Sequence, residues 1–252
     1  MSRRYTARAV VTAECDSAGQ TRITRLRSDG PLAVREVRGH ELTTVYLVGA
    51  AAGPLGGDDL ALLLTVAPGA RLAVRSAATT LALPGGPGES DDPGESRFAL
   101  RALVGAGGRL DFAPEPTVAV AGCRHSSAAD IELGPGAALR WREELVLGRH
   151  GEPPGRFAAR CDVTLDDRPL LRHELRIDGD GRYASRAVLG DAGAAGTVVL
   201  TGPDLIKEPY TADELAVLPL AGHGVLLSAT ATDAAALRRR LDHGEALASA
   251  SA

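Results

Sequence analysis

Leu60-Ala61-Leu62-Leu63-Leu64-Thr65-Val66-Ala67-Pro68-Gly69-Ala70-Arg71-Leu72-Ala73-Val74 decides the fold. Leu60, Leu62, Leu64 and Val66 recur with the period of a strand, Pro68-Gly69 turns the chain, and Leu72 and Val74 resume the alternation. The same unit returns from Phe98 to Val104, with a turn at Gly105-Ala106-Gly107-Gly108 and then Leu110 and Phe112. It returns again at Ile131 and Leu133, with Gly134-Pro135-Gly136 before Leu139 and Trp141. The turns at Gly69, Gly107 and Gly136 lie 38 and 29 residues apart, so the repeat is irregular. Strand, turn and strand at such intervals predict hairpins or arches stacked into an extended β structure.

Outward from these units, the composition agrees. Gly 30 and Pro 15 in 252 residues, with 44% hydrophobic but only 3% aromatic residues, describe a turn-dense chain whose core is Leu, Val and Ala. The expected fold is mainly β: stacked or arched β-sheets of extended, solenoid-like character, with one or two helices near the C-terminus. One domain over 1–252 is expected. Further hairpins are expected around Ser28-Asp29-Gly30-Pro31 and Asp166-Asp167-Arg168-Pro169. Residues 84–96, acidic and rich in Gly and Pro, read as a mobile loop. A helix is expected over 232–243, capped by Thr232 or Asp233 and closed by Gly244, with a frayed tail over 246–252. A shorter helical turn is expected to start at Thr211.

A net charge of −4 without a basic block argues against nucleic acid as a partner. No apolar stretch is long enough to cross a bilayer and no signal-peptide core follows Met1, so no membrane partner is expected and the cytoplasm is the expected compartment. Three widely spaced cysteines, Cys15, Cys123 and Cys161, fit reduced thiols there.

Site chemistry is sparse. Cys123-Arg124-His125 would put sulfur and imidazole on one face of a strand, which is half a tetrahedral metal site; the alternative is a buried cysteine beside a surface histidine. Cys161-Asp162, with His173 across a hairpin, matches a thiol hydrolase only by residue type. Rapid alkylation of one cysteine at neutral pH would reveal such an enzyme. A β-rich protein-binding module serving another metalloprotein is a further alternative, although a binding module should display an aromatic platform that this chain lacks. Glu143 breaks a rule more informatively, because it falls in the apolar phase of Leu139, Trp141, Leu145 and Leu147. An inward carboxylate there needs an ion pair, a wet cavity or a β-bulge that turns it to solvent.

The order of several blocks resembles the urease accessory protein UreD family, called UreH in some bacteria. The blocks are Val45-Tyr46-Leu47-Val48, then Gly53-Pro54-Leu55-Gly56-Gly57-Asp58, Pro68-Gly69-Ala70 and Ala77-Ala78-Thr79-Thr80. Leu110-Asp111-Phe112-Ala113-Pro114-Glu115-Pro116-Thr117, Ala121-Gly122, and Glu143 five residues before Gly148-Arg149 complete the set. The Gln, Lys and Tyr that commonly follow the family's Thr-rich block are absent after Thr79-Thr80. The resemblance implies a β-rich, non-enzymatic nickel-insertion chaperone that binds a UreF-like protein and a UreG-like GTPase and docks on apo-urease. It further implies no tightly bound cofactor and transient passage of Ni²⁺ through a water-filled channel, with Glu143 and Glu115 as candidate relay residues. Gly56, Gly57, Asp58, Thr79, Thr80, Pro114, Gly148 and Arg149 are implied as structural or partner-contacting motif positions, and Cys123 and His125 remain the candidate metal ligands.

Overall fold

The computed structural model describes residues 4–37, 42–49, 53–85, 94–178 and 180–249. The strands follow in chain order as β1 (Thr6–Cys15), β2 (Thr21–Arg27), β3 (Leu32–Val37), β4 (Thr43–Gly49), β5 (Asp59–Val66) and β6 (Arg71–Ser76). Next come β7 (Thr80–Ala82), β8 (Ser96–Val104), β9 (Arg109–Phe112), β10 (Thr117–Ala119), β11 (Arg124–Leu133) and β12 (Ala138–Val146). The last are β13 (Arg156–Leu165), β14 (Arg168–Ile177), β15 (Ala194–Thr201), β16 (Tyr210–Ala212), β17 (Leu215–Pro219) and β18 (Gly224–Ala231), followed by helix α1 (Ala234–Ser249).

The repeated units are arches between two sheets. β5, β8 and β11 lie side by side and parallel in a seven-stranded sheet, while their continuations β6, β9 and β12 lie side by side and parallel in an eleven-stranded sheet. Each turn glycine has the positive φ that a side chain would resist, 73° at Gly69, 64° at Gly107 and 67° at Gly136. Stacking follows from backbone bonds between successive turns: Gly69 N–H donates to the Ala106 carbonyl at 3.0 Å and Gly107 N–H to that of Pro135 at 2.9 Å. The irregular spacing is absorbed on the return paths, where β7 and β10 form a small parallel extension of the larger sheet.

Near the turns the sheets are pinned together by Leu64, Val66, Ala102, Val104, Ile131 and Leu133 from one side and Leu72, Leu110 and Leu139 from the other. Phe112 and Trp141 stack with ring centroids 3.9 Å apart. At the far end of the same strands Ser76, His125, Ser127 and Glu143 join the inward residues, and a cavity opens there. Helix α1 covers the outer face of the larger sheet, burying Leu237, Leu241, Gly244 and Ala248, and Asp233 Oδ1 caps it by accepting the Ala236 N–H at 2.8 Å.

Several expectations are corrected. The chain reversal at Ser28–Pro31 carries β2 of one sheet into β3 of the other, because turn residues encode a reversal but not whether the flanking strands pair edge to edge. Asp166-Asp167 does make a hairpin, with φ of 49° and 59°. No helical turn starts at Thr211; β16 and β17 form a hairpin around Asp213 and Glu214, since Leu215 and Val217 are recruited to the sheet beside β18. Within the supposed loop 84–96, residues 86–93 lie outside the described residues, while Ser96 begins β8 and is fully buried.

Gly244 does not end the helix, which continues to Ser249; Ala246–Ser249 is therefore helical, and 250–252 lies outside the described residues. The glycine is there because a Cβ would stand 2.8 Å from Leu227 Cδ2 and 3.1 Å from Leu215 Cδ1, so its absence lets the helix sit close to the sheet. Gly244→Leu should lower stability by about 1–3 kcal/mol through overpacking. A fall in the urea midpoint with loss of helical circular dichroism would register it.

Candidate functional site

A cavity of about 580 Å³ lies between the sheets at the end away from the arches. Its walls include Leu60, Phe98, His125 and Ser127 of the smaller sheet, Ser76, Glu143 and Thr197 of the larger one, and Pro114 of the loop after β9. A volume of this size holds several waters or a small ligand.

Glu143 sits on the inner face of β12, as its alternation with Leu139 and Trp141 predicts. Cross-strand register places Thr197 beside it on β15, and Ser228 beside Thr197 on β18, so one carboxylate and two hydroxyls form a row across three strands. Protein surrounds the Glu143 carboxyl, yet part of the side chain stays accessible because it faces the cavity. Among the described residues no cation pairs with it. Burial pushes its pKa up to about 7, and the indole N–H of Trp141 is the one group that opposes the shift. That Nε1 is itself buried without a hydrogen bond of regular geometry.

The opposite face of β12 is ionic as well. Arg142, 5% exposed at its side chain, binds Glu144 at 2.8 Å and reaches Asp242 at 2.5 Å and Glu245 at 3.1 Å on α1. Arg140 bridges Glu245 at 2.7 Å and Asp111 at 3.0 Å, and Arg75 binds Asp111 at 2.8 Å. Burial raises the Asp111 pKa, but the two arginines outweigh it and leave the carboxyl below the ordinary range. Strand alternation marks these residues as polar and solvent-facing; only the docking of α1, far along the chain, turns them into a buried network.

The motif residues divide between cavity and scaffold. Asp58, 2% exposed, accepts the Tyr5 N–H at 2.9 Å and the Leu55 N–H at 2.9 Å, fixing the Gly56-Gly57 turn and one cavity wall. Gly56 has no room for a side chain, since a Cβ would lie 2.8 Å from the Gly85 nitrogen, and Gly57 has a φ of 89°. Thr79, Thr80 and Pro114 line the cavity, and the Thr80 N–H donates to the Pro116 carbonyl at 3.0 Å. Glu115 also lines it but pairs with Arg238 of α1 at 2.8 Å. Gly148 takes a φ of 80° in the turn after β12, where a Cβ would collide with the Glu152 carbonyl, and the exposed Arg149 pairs with Glu152. Neither lies on the cavity wall.

Cys123 and His125 are both buried, which corrects the expectation of a surface histidine. Cys123 precedes β11, its thiol contacts the Arg156 carbonyl at 3.7 Å, and burial pushes its pKa up to about 11. Among the described residues no three His, Cys, Asp or Glu side chains converge as a metal site. Cys161 lies opposite His173 in cross-strand register, but burial, then the charge of Glu143, raises its pKa, so the thiol stays protonated and unsuited to nucleophilic attack. Sequence reasoning missed Thr197, Ser228 and the Ser96–His125 pair, because register between distant strands leaves no local signal.

Comparison with known proteins finds matches over almost the whole chain. A family described as UreD urease accessory protein matches residues 6–251. A "Urease accessory protein UreD" of Parafrankia sp. (strain EAN1pec) is 45% identical over 94% of this chain and 86% of its own length. Proteins of the same name from Frankia casuarinae and Streptomyces avermitilis are 40% and 42% identical, over 95% and 96% of this chain and 88% and 96% of their own lengths. The chain belongs to the UreD urease accessory protein family.

Proposed function

We propose that this chain is a non-enzymatic urease chaperone that joins a UreF-like protein and a UreG-like GTPase, docks on apo-urease in the cytoplasm, and helps deliver Ni²⁺ to the urease active site. Family membership gives it an accessory role in urease maturation. No helix of the described residues is long and apolar enough to cross a membrane. The observation that carries the finer reading is the carboxyl of Glu143, which has no cation partner among the described residues and faces a cavity between the sheets.

A cation moving through protein needs oxygen ligands that accept it without trapping it. Glu143 supplies one such ligand and exchanges its proton for the cation near neutral pH; Thr197 and Ser228 extend the row with neutral oxygens. Among the described residues no cluster of three His, Cys, Asp or Glu side chains forms around it, which keeps the hold weak. Exposed Val188, Leu26 and Leu81 give partner proteins apolar surface to cover, so co-expression with a UreF-like protein should raise the soluble yield.

The test is reconstitution from apo-urease, the UreF-like and UreG-like proteins, GTP and Ni²⁺, with and without this chain. Activation should fall to the Ni²⁺-only background when the chain is omitted. Equal activation in its absence contradicts the proposal.

A further inference from the structure

We propose that His125 is a nitrogen ligand for the cation that traverses the cavity, a second station that favours a borderline transition-metal ion such as Ni²⁺ over Mg²⁺ or Ca²⁺; this rests on the passage reading above. His125 is 3% exposed and lines the cavity on the sheet opposite Glu143. Its Nδ1 lies 2.8 Å from Ser96 Oγ, and that hydroxyl has the Arg124 carbonyl as acceptor at 3.3 Å. With Ser96 donating to Arg124, its oxygen accepts the Nδ1–H, and Nε2 keeps its lone pair.

Orientation of a ligating imidazole by a hydrogen bond at its other nitrogen is how proteins fix the tautomer and direction of a metal ligand. Phe157 packs against the ring at 5.5 Å and holds it in place. No hydrogen bond among the described residues occupies Nε2, which is unusual for an imidazole so deeply enclosed. Burial lowers its pKa to about 4, so at neutral pH the ring is uncharged and able to ligate. His173, on the same sheet and also lining the cavity, has its pKa lowered by burial as well.

The two walls therefore differ chemically. The larger sheet presents the oxygens of Glu143, Thr197 and Ser228, which any hard cation accepts, whereas the smaller sheet presents imidazole, which Mg²⁺ and Ca²⁺ decline and Ni²⁺ takes readily. A passage lined by oxygen alone would not discriminate against the far more abundant hard ions.

The experiment labels only the histidines of this chain with ¹³C and ¹⁵N, in complex with an unlabelled UreF-like partner, and follows their ring resonances by NMR during addition of Ni²⁺ alone. The His125 signal is assigned by its loss in His125→Gln, or through its contact with Phe157 should that variant fail to fold. Paramagnetic broadening of His125 is expected at a Ni²⁺ concentration at least tenfold below that which broadens the exposed His150 and His223, and Mg²⁺ at the same concentrations should neither shift nor protect it. Ser96→Ala should raise the Ni²⁺ requirement about tenfold. A His125 signal that stays sharp while the exposed histidines broaden overturns the inference; if Glu143→Gln still abolishes urease activation in that case, the passage stands without this station. Activation unaffected by Glu143→Gln overturns both.

Discussion

Truncation of Arg142 to alanine should lower the unfolding free energy by about 3–5 kcal/mol, the cost of stranding a buried carboxylate. Arg142 Nε holds Glu144, its Nη1 reaches Asp242 and Glu245, and its Nη2 donates to the Arg238 carbonyl at 3.3 Å, so one guanidinium joins β12 to helix α1. Without it Glu144, 2% exposed at its side chain and already carrying an oxygen without a partner, is left with Arg238 at 3.7 Å. Replacing Arg142 and Glu144 together by methionine should recover most of the loss, because the desolvation cost disappears with the charges. Urea unfolding of the three proteins checks both statements. A loss under about 1 kcal/mol for Arg142→Ala would show that the network is hydrated.

Glu143→Gln should have the opposite sign. A carboxyl whose pKa stands near 7 in the folded protein against an ordinary 4.5 binds more protons folded than unfolded between those values, so stability falls as pH rises through that window. Below pH 4.5 both states are protonated and the group contributes nothing; above pH 7 the penalty is complete. At about 1.4 kcal/mol for each tenfold change in proton affinity, the wild-type chain forfeits up to about 3 kcal/mol at pH 8. The glutamine variant should therefore be more stable than wild type at pH 8, equal to it near pH 4, and flatter between. Denaturation at several pH values measures this, with the single tryptophan, Trp141, reporting from beside the site. Destabilisation by the variant at pH 8 would mean that Glu143 is held by a cation after all.

The arches were legible because each rests on local chemistry, a period-two apolar run ending in a glycine turn. The inward phase of Glu143 was legible for the same reason, since Leu139 and Trp141 set the face on which it falls. What surrounds it was not, because Thr197 and Ser228 reach it only through pairing of strands remote in sequence. The ionic face of β12 was not legible for a different reason. Arg140, Arg142 and Glu144 have the pattern of a solvated edge, and nothing near them announces that α1 will cover them. Gly244 and Ser96 failed through rules of thumb applied to isolated residues: a glycine near a helix end reads as a stop, and a serine after an acidic Gly/Pro run reads as loop. Packing against Leu227 and a bond to His125 gave them other roles.

The passage reading depends on Glu143 acting on the metal and not on the fold, and the glutamine variant separates the two because Gln keeps size and polarity while losing the charge. The decisive measurement is urease activation in the reconstituted system with Glu143→Gln, made alongside the yield of the complex with the UreF-like and UreG-like proteins and apo-urease. Activation should drop severely while complex yield stays at the wild-type level. Normal activation with a normal complex would contradict a metal passage past Glu143, and loss of the complex itself would assign the residue to structure.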